Sequence, residues 1–262
     1  MPSNHSYALV TGASSGIGLE LARCAATAGC DLLLAADEPK IQSVAADFAA
    51  QGIEVSAVEV DLSNASAVDQ MYAAAKGRPI DFLLANAGRG LGGAFLDQDL
   101  ERVRKVIDTN IVGTLELIHR VGRDMRDRGR GRILITGSIA GLMPGTYQAA
   151  YNASKAFLDS FAYALRAELK NTGVTVTCLM PGATETEFFE RADMMNTKLG
   201  TEPKQPPDQV AKAGFEAMLR GEGEVVTGWS NKLRAAISHI VPQEALAEAH
   251  RKMAGPGTAV KH

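Results

Sequence analysis

The alternation of short apolar runs with longer helical patterns constrains the fold of this chain more than any other feature. Between successive runs, apolar residues recur at a period near 3.6, which is typical of amphipathic helices. Strands joined through helices of this length form a parallel sheet that is covered on both faces. Because no internal repeat or linker interrupts the pattern, it predicts an α/β fold with a doubly wound parallel sheet, in a single domain over residues 1–262. The six runs are Tyr7–Val10, Asp31–Ala36, Val55–Val60, Ile80–Ala85, Arg132–Thr136 and Val174–Leu179.

A glycine-rich turn follows the first apolar run and leads into a helical pattern. The segment Thr11–Gly18 contains the spacing G-x-x-x-G-x-G. Glycines let the backbone approach an anion, and the unpaired N–H groups at the start of the helix point toward it. An ordinary glycine-rich turn is the alternative interpretation. The position of the motif, between the first strand and the first helix, favours a dinucleotide-binding site.

Asp37 follows the second apolar run, nineteen residues after Gly18. At this distance from the glycines, a carboxylate can accept hydrogen bonds from an adenosine ribose. The same carboxylate would repel a 2′-phosphate, so this interpretation favours NAD over NADP. The alternative is that Asp37 is the N-cap of the helix that begins near Pro39, because Asp is a favoured N-cap residue.

Tyr151 and Lys155 are four residues apart in a predicted helix, Tyr147–Asn171, and therefore lie on one helix face. An ammonium about 4 Å from the phenol would favour the phenolate by about 4 kcal/mol, at an effective dielectric constant of about 20. The phenol pKa would then approach neutrality, where general acid–base catalysis is efficient. Ser138, thirteen residues before Tyr151, could hydrogen-bond the same substrate oxygen. The alternative is an ordinary surface pair, because the Tyr-x-x-x-Lys pattern is common.

Asn110 lies in an apolar stripe of the predicted helical stretch Leu100–Arg128. A buried amide is costly unless it is fully hydrogen-bonded. Asn110 is therefore either a satisfied structural amide or part of a water-binding site.

Composition and charge exclude several classes of function. The formal net charge is −3 and the pI is near 6.0, whereas nucleic-acid binding requires a basic patch. No apolar run approaches the about 20 residues of a membrane span, and the first residues show no signal-peptide pattern. The three cysteines form no C-x-x-C pair and indicate small buried side chains in a reducing compartment. The five histidines are scattered, so we predict no metal site. From the charge, the apolar runs and the cysteines together, we predict a cytoplasmic location and neither a nucleic-acid nor a membrane partner.

Taken together, these motifs resemble those of the short-chain dehydrogenase/reductase family across nearly the whole chain. Each motif is weak alone, but seven in this order, separated by alternating strands and helices, are specific. The resemblance implies a Rossmann-like fold, an NAD(P)-dependent oxidoreductase activity, and a homodimer or homotetramer paired through two long helices. The seven motifs are Thr11–Gly18, Asp61-Leu62, Asn86-Ala87-Gly88, Asn110, Ser138, Tyr151-x-x-x-Lys155 and Pro181-Gly182.

The resemblance also implies roles for individual residues. Tyr151 would be the acid/base, and Ser138 would orient the oxygen of a small alcohol or carbonyl substrate. Lys155 would lower the pKa of the tyrosine and contact the nicotinamide ribose, and Asn110 would hold a water that links Lys155 to solvent. The implied cofactor-binding residues are Gly12, Ser14, Ser15, Gly16, Ile17, Gly18, Asp37, Asp61, Leu62, Asn86, Ala87, Gly88, Tyr151, Lys155, Pro181, Gly182, Thr184 and Thr186.

Two positions depart from the family pattern. Ala85-Asn86 stands where the family usually has two asparagines before Ala-Gly. Asp37 lies one place beyond the residue that usually selects NAD, at a position where NADP-linked members often carry Arg. The cofactor is therefore predicted to be NAD or NADP, with NAD favoured.

Substrate specificity is expected from the segment after Pro181, since loops and lids carry specificity on shared folds. Residues 183–207 form a candidate lid whose apolar side chains indicate a medium-sized, largely apolar secondary alcohol, ketone or aldehyde. The alternative is that these side chains only pack the segment onto the body. A helical C-terminal extension is predicted at Asn231–Met253, after Trp229. Trp229 is expected to cover the substrate site or a subunit interface, or to pack in the core. The apolar candidates are Leu91, Leu142, Met143, Phe188, Phe189, Met194, Met195 and Leu199.

Three other functions compete with this prediction. A 3-oxoacyl thioester reductase of the same family usually ends soon after a final strand with a glycine pair, and this tail is longer. A nucleotide-sugar epimerase or dehydratase usually has G-x-x-G-x-x-G at the turn and a larger C-terminal domain. A non-catalytic dinucleotide sensor would be expected to lack Tyr151 or Lys155, and both are present.

Overall fold

Buried apolar strands form the centre of the protein. The computed structural model describes residues 5–238 and 240–259, so residues 1–4, 239 and 260–262 of the predicted domain lie outside the described residues. All neighbouring strands are parallel, in the order β3-β2-β1-β4-β5-β6-β7. The predicted parallel sheet is confirmed, and it gains a seventh strand that the sequence analysis did not predict. The strands are β1 (Tyr7–Thr11), β2 (Asp31–Ala36), β3 (Val55–Glu59), β4 (Phe82–Ala85), β5 (Gly131–Thr136), β6 (Val174–Met180) and β7 (Glu224–Val226).

Two predicted helices are interrupted. The stretch Leu100–Arg128 contains a π-helical segment at Asp108–Gly113, and the extension Asn231–Met253 divides before Pro242, which has no N–H to continue a helix. The α-helices of the described residues are α1 (Gly16–Thr27), α2 (Lys40–Ala49), α3 (Ala67–Ala75), α4 (Leu100–Ile107), α5 (Thr114–Arg128), α6 (Ala149–Glu168), α7 (Phe188–Arg191), α8 (Lys198–Thr201), α9 (Pro207–Arg220), α10 (Trp229–Ser238) and α11 (Gln243–Ala254).

Helices cover both faces of the sheet because successive strand residues point to opposite sides. In β1, Leu9 belongs to one apolar core, which includes residues of α3, α5 and α6. Its neighbours Ala8 and Val10 belong to the other core, with residues of α1, α2 and α9. This arrangement confirms the doubly wound, Rossmann-like architecture.

The order of the strands places a crevice beside β1. The chain passes from β1 outward through β2 and β3, and then returns to add β4 on the opposite side of β1. Ligands of open α/β sheets bind at the carboxyl ends of the strands where the order reverses in this way. Thr11 at the end of β1 and Asn86 after β4 lie at this point.

The protein surface bears on the predicted partners. No helix in the described ranges is long and apolar enough to cross a membrane. Phe157 and Tyr163 are exposed on α6, but the predicted homodimer or homotetramer stays a prediction. Trp229 is 83% exposed at the first residue of α10, so the expectation that it packs in the core is wrong.

Candidate active site

The glycine-rich turn lies between β1 and α1, at the carboxyl edge of the sheet. Gly12 and Gly16 have φ values of +66° and +54°, which L side chains rarely adopt. A Cβ atom on Gly18 would lie 2.0 Å from the backbone oxygen of Gly12. Helix α1 has no side-chain cap and no acidic residue in its first turn. Its first N–H groups are therefore available to an anion, and the turn fits the pyrophosphate of a dinucleotide.

Asn86 and Thr11 join this turn to the end of β4. Thr11 Oγ1 accepts hydrogen bonds from the backbone N–H groups of Asn86 and Ala87, both at 3.0 Å. Asn86 Nδ2 donates to the backbone oxygen of Thr11 at 3.2 Å, and Asn86 Oδ1 accepts from Thr136 Oγ1 at 3.2 Å. Asn86 takes part in three of these four hydrogen bonds and Ala87 makes the fourth, so the junction is intact with Ala85 in place of a second asparagine.

A cavity of about 370 Å³ extends from the glycine-rich turn along the edge of the sheet. This volume is within the range of small-molecule sites. All of the predicted site residues line the cavity except Gly18 and Asn110, which are both buried. The fold thus brings together residues that are spread over most of the sequence.

Asp37 lies at the exposed end of β2 and forms an ion pair with Arg89. The guanidinium of Arg89 also contacts Asp61 at 3.3 Å, and Lys105 Nζ lies 2.9 Å from the same carboxylate. Helix α2 has Pro39 as its N-cap and no side-chain capping hydrogen bond. The alternative that Asp37 caps this helix is therefore wrong, and its carboxylate lines the cavity.

Ser138, Tyr151 and Lys155 reach the cavity from two elements, the end of β5 and the start of α6. Ser138 Oγ donates a hydrogen bond to the backbone oxygen of Pro181 at 3.3 Å. Lys155 Nζ donates to the backbone oxygen of Thr136 at 2.7 Å and lies 5.9 Å from the centre of the Tyr151 ring. Because Lys155 is only 4% exposed, the alternative of an ordinary surface pair is wrong.

The expected acidification of Tyr151 by Lys155 is not found. Enclosure by the surrounding protein raises the pKa of Tyr151 to about 12, although a hydrogen bond with Ser138 opposes this shift. Burial lowers the pKa of Lys155 to about 8, against the field of Asp159. Desolvation of the phenolate is the largest cause of this rise in pKa, and the negative charge of Asp159 adds to it. Lys155 Nζ lies 5.9 Å from the centre of the Tyr151 ring. Tyr151 therefore carries its proton at neutral pH.

Asn110 is fully buried in the π-helical segment. Its Nδ2 donates to the backbone oxygen of Arg89 at 3.0 Å and to Ser154 Oγ at 2.9 Å. Its Oδ1 accepts from the backbone N–H of Arg89 at 2.7 Å. The interpretation as a satisfied structural amide is therefore confirmed, and a role in holding a water stays a prediction.

Asp159 is a buried residue of this region that the sequence analysis missed. Its Oδ1 accepts from the backbone N–H of Ser138 at 3.2 Å and lies 3.5 Å from Cys178 Sγ. Its Oδ2 has no hydrogen-bond partner among the described residues. Burial raises the pKa of Asp159 to about 6, although the Ser138 N–H and Lys155 oppose the shift. Its position one turn after Lys155 was visible in the sequence, but its burial was not.

We expect Asp159→Asn to change the pH dependence of stability. The folded-state pKa of this carboxyl is about 6, whereas its ordinary value is 3.8. The protonated form therefore stabilises the fold at low pH, and about 3 kcal/mol is lost as the pH rises through about 6. The free energy of unfolding of Asp159→Asn relative to wild type should increase between about pH 4 and about pH 7.5. Urea denaturation measures this difference, with Asp47→Asn, an exposed carboxylate on α2, as the control. Parallel curves for Asp159→Asn and wild type would contradict the expectation.

The predicted lid segment, residues 183–207, covers the cavity with aromatic side chains. The ring centre of Phe188 lies 5.0 Å from that of Tyr151. Gly90 makes room for Phe188, since a Cβ on Gly90 would lie 2.4 Å from its ring. Phe189 and Leu199 also line the cavity. Movement of this segment as a lid stays a prediction.

Several apolar candidates do not face the cavity. Leu91 and Met143 line it as expected. Met194 is instead buried in a small satellite core with Phe189 and Ala254, and Met195 is exposed to solvent. Leu142 packs against the main core. For these three residues, the expectation of a cavity-facing position is wrong, because two of them pack into apolar cores and the third is exposed.

The C-terminal helix α11 also reaches the cavity, which the sequence analysis missed. His250 and Met253 line its wall. His250 is 4% exposed, and its Nδ1 lies 2.9 Å from the backbone oxygen of Thr146. Burial lowers the pKa of His250, so its ring is neutral at neutral pH. No local sequence pattern connects α11 with a turn that precedes it by about a hundred residues.

Comparisons with known proteins agree with this geometry. A profile of the family described as short chain dehydrogenase matches residues 6–196. An uncharacterized oxidoreductase of Myxococcus xanthus is 34% identical over 256 residues, which cover 94% of this chain and 96% of the relative. The 17-beta-hydroxysteroid dehydrogenase type 1 of Mus musculus is 33% identical over 199 residues, which cover 70% of this chain and 55% of the relative.

A solved structure has the same architecture. The short-chain dehydrogenase from Sphingobium yanoikuyae in complex with NADPH superimposes with a TM-score of 0.79 at 27% identity. The superposition covers 91% of this chain and 97% of that protein. The family resemblance inferred from seven sequence motifs is therefore confirmed. This chain belongs to the short-chain dehydrogenase/reductase family and is an oxidoreductase that acts on CH–OH groups with NAD or NADP.

Proposed function

We propose that this protein interconverts a secondary alcohol and a ketone or aldehyde of medium size and largely apolar character, with Tyr151 as the acid/base. One observation carries the proposal. Tyr151 lines a cavity that is also lined by the glycine-rich turn and by a group of apolar side chains. A dinucleotide and a small carbonyl compound can therefore meet at its hydroxyl.

The cofactor would occupy the end of the cavity beside the glycine-rich turn, with the pyrophosphate against the first N–H groups of α1. When bound, the nicotinamide supplies or accepts the hydride. Lys155 would contact the nicotinamide ribose, and its burial keeps the ammonium in a defined position. The proposed carboxamide contacts are Pro181, Gly182, Thr184 and Thr186, and the proposed adenosine contacts are Asp37, Asp61, Leu62, Asn86, Ala87 and Gly88.

The charge state of Tyr151 determines whether its hydroxyl group can donate a proton to the substrate or accept one from it. A phenol with a pKa of about 12 is protonated at neutral pH, so it can donate its proton to the oxygen of a carbonyl that is being reduced. Ser138 would hydrogen-bond the same oxygen and stabilise the charge that develops there. In the oxidative direction, the tyrosine oxygen would accept the hydroxyl proton. Reduction is therefore the direction in which activity should be sought first.

We also propose a preference for NAD over NADP. The carboxylate of Asp37 lines the cavity at the end of β2, where it can accept hydrogen bonds from ribose hydroxyls and repel a 2′-phosphate. The guanidinium of Arg89, paired with Asp37, supplies the competing positive charge. The ratio of NADH to NADPH activity reports which of the two charges faces the ribose.

The apolar wall supports the proposed substrate class. Leu91, Met143, Phe188, Phe189 and Leu199 line it. The mouse relative is named as a hydroxysteroid dehydrogenase, which is in keeping with a bulky apolar alcohol. Small charged hydroxy acids would find few polar partners on these side chains.

A carbonyl panel assayed with NADH and with NADPH tests the proposal. We expect reduction of apolar cyclic and aryl ketones at neutral pH, with kcat/KM at least about tenfold above that for small keto acids, a ratio that corresponds to about 1.4 kcal/mol. Higher activity with NADPH would contradict only the cofactor preference. Preferential reduction of 3-oxoacyl thioesters would favour that alternative. Cofactor binding without turnover of any carbonyl would favour a non-catalytic sensor.

A further inference from the structure

Two buried polar side chains in the apolar wall have no role in the chemistry proposed above. Gln148 is 2% exposed and His250 is 4% exposed, and both line the cavity. Buried polar groups in proteins are nearly always hydrogen-bonded. Within residues 5–238 and 240–259, the amide of Gln148 makes no side-chain hydrogen bond, and His250 uses only one of its two ring nitrogens. Neither side chain is among the fully enclosed polar groups that lack a partner, so their free polar atoms are open to the cavity.

The hydrogen bond of His250 determines which nitrogen carries the proton. A backbone carbonyl can only accept, so the contact with Thr146 at 2.9 Å requires the proton on Nδ1. The ring is neutral because burial disfavours its charged form. Nε2 therefore presents a lone pair and needs a donor, and no described residue provides one.

Both side chains are held at the turn that precedes α6, one as a residue of the turn and the other through a hydrogen bond to it. Gln148 is the N-cap residue of α6, three positions before Tyr151, and His250 is bonded to Thr146 in the same turn. Gln148 lies one helical turn before Tyr151 and both side chains line the cavity, so the two polar groups lie on the Tyr151 side of the cavity. Their neighbours in the wall, including Met253, are largely apolar.

We propose that Gln148 and His250 form a second polar contact for the substrate, and that the substrate carries a hydroxyl group in addition to the reacting alcohol or carbonyl. That hydroxyl donates to His250 Nε2, and the amide of Gln148 bonds its oxygen. The substrate is thus a hydroxy ketone, or the corresponding diol, on a largely apolar skeleton. This inference rests on the proposed function and narrows its substrate class.

Matched pairs of ketones test the inference. Each pair has a two- or three-ring hydrocarbon skeleton with a ketone on one terminal ring, and either a hydroxyl or a methyl ether on the ring farthest from it. Sites built to bond a substrate hydroxyl discriminate strongly against analogues that lack it. For at least one pair, we expect wild type to show a kcat/KM ratio of about 100 or more in favour of the hydroxy ketone.

Variants assign this preference to the two side chains. His250→Leu removes the acceptor at similar volume and should reduce the ratio below about 10, as should Gln148→Leu. His250→Gln keeps an amide near the position of Nε2 and should retain more of the ratio than His250→Leu. His119→Leu, which removes an exposed histidine of α5, should leave the ratio unchanged. Because both ketones are measured on the same protein, a variant with a smaller folded fraction still reports the ratio.

Equal kcat/KM values for both members of every pair on wild type would overturn the inference while leaving the proposed function in place. An unchanged ratio in both His250→Leu and Gln148→Leu would also overturn it. If no ketone is reduced with either cofactor, the proposed function fails, and calorimetric titration of the same pairs decides the inference separately. Tighter binding of the hydroxy ketone that is lost in His250→Leu would support the contact, and equal affinities would overturn it.

Discussion

Tyr151→Phe should lower kcat for carbonyl reduction by about 10²- to 10⁴-fold, the range typical for loss of a general acid. The substitution removes the proton donor and keeps the ring, so the packing against Phe188 at 5.0 Å remains. Binding of NADH or NADPH should change little, because the phenyl ring occupies the same place. The expected signature is thus a loss in kcat with a nearly unchanged cofactor Kd.

Steady-state reduction of the best ketone from the panel, together with fluorescence titration of the cofactor, measures this signature. Tyr163→Phe is the matched control, since Tyr163 lies on the same helix but is exposed and bonded to Glu224. It should keep kcat within about twofold of wild type. Turnover by Tyr151→Phe close to that of wild type would remove Tyr151 from the role of acid/base.

Gly18→Ala is expected to weaken cofactor binding by about tenfold to a hundredfold. Its Cβ would lie 2.0 Å from the backbone oxygen of Gly12 and 2.6 Å from Asn86 Nδ2. Both neighbours belong to the junction between β1 and β4, so the turn itself must move. Overpacking of this kind typically costs about 1–3 kcal/mol, and here it displaces the N–H groups that would face the pyrophosphate.

Gly122→Ala is the matched control for this substitution. Gly122 also lies in a helix, α5, but its added Cβ would meet only Ile133 Cδ1, at 3.6 Å. Alanine has the higher helix propensity by about 1 kcal/mol, so this variant should be as stable as wild type or more stable. Thermal unfolding and cofactor titration compare the two variants. Equal cofactor affinities of Gly18→Ala and Gly122→Ala would contradict the close approach of the backbone at Gly18.

The outcome at individual residues shows where sequence patterns were informative. Periodicity predicted the six main strands, because burial on both faces gives each of them a continuous apolar run. The three-residue strand β7 was too short to give such a signal. The continuous helix expected for Leu100–Arg128 is interrupted by the π-helical segment around Asn110, whose side chain bonds Arg89 and Ser154. Because these partners are distant in sequence from Asn110, the helical periodicity around Asn110 does not predict them.

The same distinction holds for the cavity. The sequence predicted Gly12, Tyr151 and Lys155 as site residues because their spacing carries chemical meaning within a few residues. It did not predict His250, since its partner Thr146 lies 104 residues away. Asp159 carried a partial signal, the four-residue spacing from Lys155, which becomes informative only once its burial is known.

Sequence patterns were sufficient to predict six of the seven strands, the glycine-rich turn, and most of the residues that line the cavity. The charge states of those residues and the contribution of α11 to the cavity wall became clear only in the folded protein. The pKa of Tyr151 is raised and that of Lys155 is lowered, because desolvation depends on everything packed around a group. The position of His250 depends likewise on the folding of a distant helix onto the cavity. Local patterns encode backbone conformation, whereas desolvation and long-range contacts arise only when the chain is folded.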